Sequence, residues 1–132
     1  MDLVFYDVKG IPTCYTDDYK YIYLFSGQPV AHFVDGSIYS FKGKHLGRFE
    51  NGWIRDDKGE AVFYTEFATG GPFRPSMRLQ PTKGIKKTLP MIMTTEWPPF
   101  HPVTKTSWAK ASGPQFFATV DRFQPKPYLR RN

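Results

Sequence analysis

Lys20-Tyr21-Ile22-Tyr23-Leu24-Phe25-Ser26-Gly27-Gln28-Pro29-Val30-Ala31-His32-Phe33-Val34-Asp35-Gly36 holds two apolar runs with a glycine between them and an Asp-Gly stop. Two runs rich in β-branched and aromatic residues, joined through a glycine, read as a β-hairpin, the glycine supplying the positive φ of the turn. Alternation puts Ile22, Leu24 and Ser26 on one face and Tyr21, Tyr23 and Phe25 on the other. Both faces are largely apolar, which suits a sheet covered on both sides.

Outward from this stretch the same phrase recurs. Gly10, Gly27, Gly43 and Gly59 each follow a bulky apolar residue (Phe5, Ile22, Ile38, Ile54) by five positions, and Tyr6, Tyr23, Tyr39 and Arg55 precede them by four. The copies are Leu3–Asp18, Lys20–Gly36, Ser37–Gly52 and Trp53–Gly70. Asp35-Gly36 and Asn51-Gly52 favour tight turns whose twist matches paired strands, and Asp17-Asp18 takes that place in the first copy. Recurring units must stack or close on one another to bury their apolar faces. The expected fold is therefore all-β: four consecutive hairpins in a closed, pseudo-four-fold arrangement, which also removes exposed strand edges.

At 132 residues the chain is read as a single domain, with a hairpin-repeat region at 3–70, a Pro-rich basic extension at 71–125 packed on it, and a flexible basic tail at 126–132. Gly70-Gly71-Pro72 ends the repeats, and ten of the twelve prolines follow, which forbids any long helix. Extended runs at Leu89–Thr95 and Gln115–Phe123 are the candidates for one or two short strands there. Phe73, Trp97, Phe100, Trp108 and Phe117 are expected to anchor the remainder.

The phrases Asp35-Gly36-Ser37-Ile38-Tyr39 and Gly52-Trp53-Ile54-Arg55-Asp56, with Gly27-Gln28-Pro29-Val30-Ala31 before them, resemble the bacterial four-fold β-flower domain family over about residues 3–70. The resemblance implies hairpin petals around a pseudo-four-fold axis and carries no catalytic residues with it. The phrase at Gly52-Trp53 is also similar to the short tryptophan–glycine repeats of bacterial proteins, in one copy.

Net charge is +6, split as −3 over residues 1–66 and +9 over 67–132. Either the basic half meets a polyanionic partner, or it lies against the acidic half of its own fold. A single Cys14 allows no intramolecular disulfide and is read as a buried strand thiol. Met1-Asp2-Leu3-Val4 lacks a basic n-region and no stretch is long and apolar enough to span a membrane, so a cytoplasmic protein is expected, with no membrane partner. Phosphate-gripping loops, a nucleophile elbow and clustered metal ligands are missing, so neither metal nor cofactor is expected. Asp56, Asp57 and Glu60 flank the last glycine and read as turn formers.

These readings point to a non-catalytic binding module, with a protein as its partner. The Pro-Pro-Phe-His-Pro stretch at 98–102 and the basic clusters supply the contact residues: Lys83, Lys86, Lys87, Trp97, Phe100, His101, Arg130 and Arg131. Nucleic-acid binding through the basic half is the first alternative. A small enzyme with a pocket at the pseudo-axis is the second.

Overall fold

A computed structural model describes residues 2–117. Eight antiparallel strands, β1 (Leu3–Tyr6), β2 (Pro12–Thr16), β3 (Tyr21–Leu24), β4 (Pro29–Val34), β5 (Ser37–Tyr39), β6 (His45–Glu50), β7 (Trp53–Asp56) and β8 (Ala61–Tyr64), close into a barrel in chain order. They form four hairpins, β1–β2 to β7–β8, matching the four copies in the sequence.

Closing so short a set of strands needs strong bending, and each hairpin supplies it at the same place. Tyr6, Tyr23, Tyr39 and Arg55 pair with Pro12, Pro29, His45 and Ala61, so the next residue (Thr13, Val30, Leu46 or Val62) has no partner across the ladder. An extra residue on one strand kinks it and increases its twist. Each bulge lies just after its repeat glycine.

All eight strands contribute to one apolar cluster, through Phe5, Cys14, Ile22, Ala31, Ile38, Leu46, Ile54 and Val62 among others. Only the lumen of a closed barrel brings every strand to one place, so these side chains point inward. Cross-strand neighbours there balance large against small: Phe5 faces Cys14, Ile22 faces Ala31 and Ile38 faces Gly47. In the fourth hairpin Ile54 faces Phe63, whose ring packs on Phe116 and Phe117, both centroids 5.9 Å away. The Cys14 thiol is fully buried here, and desolvation pushes its pKa well up. The tyrosine set lies on the outer face, where Tyr6, Tyr15, Tyr23, Trp53 and Tyr64 form a second cluster with Trp108 against it.

Turns alternate between two rims. At one, Asp35-Gly36 and Asn51-Gly52 take φ values of 49°, 84°, 52° and 82°, the doubly left-handed pattern that such dipeptides favour. At the other stand the four repeat glycines. Asp7, Ser40 and Asp56 accept turn N–H groups there with their side chains, so Asp56 is a turn former. Residues 109–117 cross the mouth at this glycine rim: Val8 N–H donates to Ser112 Oγ, which donates to the Val62 carbonyl, each at 3.0 Å.

Among the described residues, the extension adds no strand to the barrel. Leu89–Thr95 runs outside the sheet because a closed barrel leaves no free edge to join; the contact nearest to a ladder is an isolated parallel bridge between Ala61 and Trp108. Residues 115–117 form a helical turn in place of the expected extended run. Phe116 and Phe117 N–H donate to the Gly113 and Pro114 carbonyls, which turns both rings onto Phe63. The remainder of that run, the tail at 126–132, and Arg130 and Arg131 lie outside the described residues.

Candidate functional site

Residues 72–107 form a strap around the glycine rim. Its course follows a second repeat: Pro72, Pro81, Pro90 and Pro99 stand nine residues apart, and each interval serves one hairpin. The N–H groups of Arg78, Lys87, Glu96 and Lys105, again nine apart, donate to the carbonyls of Gly10, Gly27, Gly43 and Gly59 at 2.9, 2.9, 2.9 and 3.1 Å. The carbonyls of Ser76, Ile85, Thr94 and Val103 press onto the same glycines, where a β carbon would lie 2.0–2.1 Å from the oxygen. The repeat glycines are thus needed twice, for positive φ (78° to 97°) and for backbone-to-backbone contact with the strap.

The repeat positions of the third and fourth petals bind the strap through their side chains as well. Tyr39 OH donates to the Glu96 carbonyl at 2.9 Å, and Arg55 Nη1 donates to the Lys105 carbonyl at 2.6 Å, nine residues further along the strap. Arg55 therefore replaces a tyrosine as donor to an equivalent acceptor, and it also reaches the Gly59 carbonyl at 2.7 Å. At the two middle stations Gly84 and Met93 N–H bond to Phe25 and Phe41 carbonyls. Pro75 and Pro102 fill that strap position at the outer two, with no N–H to give.

The contact residues read from the sequence divide in two. The lysines turn inward. Lys86 Nζ sits 2.7–2.8 Å from the Asp17 carboxylate and 4.4 Å from the centre of the Tyr23 ring, and Lys83 Nζ pairs with Asp2 over Tyr15. The hydrogen bond to Asp17 raises the Lys86 pKa. Lys87 Nζ donates to the Ser26 carbonyl at 3.3 Å. His101 Nε2 is 2.7 Å from the Glu50 carboxylate, which raises its pKa. Each of these cations meets its own barrel.

The aromatics face solvent. Trp97 is 92% exposed and Phe100 99%, with Leu79 at 96%, Ile85 at 92% and Phe73 at 83%. Phe73, Trp97 and Phe100 are therefore not anchors of the extension, whereas Trp108 packs on Trp53 and Tyr64, and Phe117 is buried against Phe63. The strap is held by its backbone and its cations, which leaves its large apolar side chains outward.

The 4-fold β-flower family model matches residues 4–117, so the match spans the barrel, the strap and the mouth segment. The chain belongs to the 4-fold β-flower family. Its petals are the four hairpins, and the match extends well past residue 70, where the resemblance of the hairpin phrases ends. Comparison with curated proteins and with solved structures gives no match.

One polar cluster interrupts the repeat of this β-flower protein. His45 is fully buried, with Nδ1 2.7 Å from Asp57 Oδ1 and Nε2 3.0 Å from Ser37 Oγ. The equivalent positions in the other petals are Val4, Tyr21 and Trp53 for Ser37, Pro12, Pro29 and Ala61 for His45, and Val8, Phe25 and Phe41 for Asp57. All three apolar positions change together where petals three and four meet, and Glu96 of the strap accepts the His45 N–H at 2.7 Å. The order serine–histidine–aspartate matches a nucleophile, base and orienter. Ser37 is buried, however, and it does not line the adjoining cavity of about 350 Å³ beside His45 and Asp57. The cluster joins two petals and the strap. Sequence reading missed it because its members lie in three different elements.

Proposed function

We propose that this β-flower protein is a non-catalytic, cytoplasmic protein-binding module whose contact surface is the outer face of the strap. The observation that carries this reading is the set of large apolar side chains on one extended segment (Phe73, Leu79, Ile85, Met91, Trp97, Phe100 and Val103), each more than four-fifths exposed. Large apolar side chains held in water in this number mark interaction surface, and aromatic residues dominate the energetics of such contacts. The rigid barrel presents the strap with little left to order on binding, which lowers the entropic cost of association. Nucleic-acid binding is the second reading, supported by Trp97 and Phe100 as stacking platforms. It is weakened by Lys83, Lys86 and Lys87, whose charges already meet Asp2, Asp17 and the Ser26 carbonyl.

A double variant, Trp97→Ser with Phe100→Ser, tests the reading. It should unfold at the same denaturant concentration as the parent, because neither side chain contributes burial, yet lose a partner that the parent retains in quantitative co-purification from its native cells. Equal retention by both proteins places the contact elsewhere. Binding to unrelated single-stranded DNA with a steep salt dependence would support the nucleic-acid reading instead.

A further inference from the structure

We propose that the cavity between the second and third petals binds the aliphatic chain of an amphiphilic anion, a medium-chain fatty carboxylate, with Lys42 meeting its head group. This cavity of about 600 Å³ opens at the glycine rim, bounded by Leu24 of β3, Phe41 of the third turn, Met91 and Met93 of the strap, and Phe117 of the mouth segment. Its lining is mainly apolar, and the one charged residue on it is Lys42, exposed and without an ion pair among the described residues. An apolar chain ending in an anion matches both features.

The four-fold repeat singles out this sector independently. Seven residues after each repeat glycine stand Asp17, Val34, Glu50 and Glu66, and the third residue of each strap interval is Arg74, Lys83, Ile92 or His101. Asp17 pairs with Lys86 and Glu50 with His101, while Arg74 donates to the Ala68 carbonyl and Lys83 pairs with Asp2. In the second petal and the third strap interval both sets turn apolar, as Val34 and Ile92, and both residues are exposed. The symmetry is broken toward apolar character on the barrel and the strap of this one sector: Ile92 stands between the cavity residues Met91 and Met93, and Val34 lies on the second petal at the opposite rim. Met93, half in water and half against the cavity, is flexible and polarisable, which suits a wall that adjusts to a chain.

Titration calorimetry with dodecanoate and dodecanol, both below their aggregation limits, tests the site without reference to any protein partner. The parent protein should bind both. Met93→Trp should abolish both by filling the cavity. Lys42→Glu, an exposed turn substitution that leaves packing intact, should weaken dodecanoate about fivefold, as for an exposed ion pair, and leave dodecanol unchanged. Absence of binding by the parent overturns the proposal. So does undiminished binding by a folded Met93→Trp protein, which would mean adsorption on the exposed strap. If Met93→Trp fails to fold, Lys42→Glu decides alone, and an equal effect on both ligands overturns the head-group assignment.

Discussion

The barrel and the strap obey the same four-fold count by different physics. In the barrel each petal is held by ladder hydrogen bonds and by lumen side chains with no exposure at all, such as Phe5, Ile22, Ile38 and Ile54. The strap meets each petal through one or two backbone hydrogen bonds and a carbonyl seated on glycine, and its large apolar groups stay in water. Burial of apolar area is the main favourable term in folding, so the barrel carries the stability. The outward apolar groups of the strap add almost nothing to folding and are free for recognition.

The contrast breaks first in the lumen. Phe5→Ala should cost about 3–5 kcal/mol in a denaturant melt, as for other fully buried aromatic truncations. A loss near zero would mean that the barrel is not the stabilising half. The seam between the halves comes next. Gly43→Val places a β-branched residue at a φ of 92° and drives its β carbon into the Thr94 carbonyl; about 2–3 kcal/mol should be lost. Limited proteolysis should then cut the strap of the variant faster than that of the parent, which separates strap release from turn strain alone.

The smallest effect sharpens the comparison through pH. His32, on β4, is buried, its Nε2 has no hydrogen-bond partner among the described residues, and burial lowers its pKa. The unfolded chain then binds the proton more readily, so stability falls as pH drops through the ordinary histidine value of about 6.5. His101, on the strap, has its pKa raised by Glu50 and by the Pro102 carbonyl. Its contribution is fully present below the ordinary value and is lost as pH rises through the raised one. Melts between mildly acid and mildly basic pH should therefore flatten on the acid side in His32→Phe and on the neutral side in His101→Gln. The same change in both variants would contradict this assignment.

The hairpins were legible because two local signals agree: alternation fixes the faces, and a glycine or an Asp-Gly fixes each turn. The strap repeat was equally present in the prolines at 72, 81, 90 and 99, but Pro75, Pro98 and Pro102 obscure the interval. Its working groups are also backbone atoms, so Arg78, Lys87, Glu96 and Lys105 share a position without sharing a side chain. Charge asymmetry between the halves was legible too, and the pairs of Lys83 with Asp2, Lys86 with Asp17 and His101 with Glu50 meet part of it within the molecule. What composition did not carry was direction. Trp97 and Phe100 look like core residues in a list of aromatics, and only their place on a segment held by its backbone turns them to solvent.

Four identical docking stations set nine residues apart leave the wrapping segment with a vernier problem. Main-chain contacts alone would accept it displaced by one whole interval, since every glycine offers the same acceptor. The unlike groups at each station remove that degeneracy: the Lys86–Asp17 and His101–Glu50 pairs, and Pro75 and Pro102, which have no N–H to give where Gly84 and Met93 donate one. Side-chain diversity along the wrap thus acts as an index, assigning each interval to its own petal.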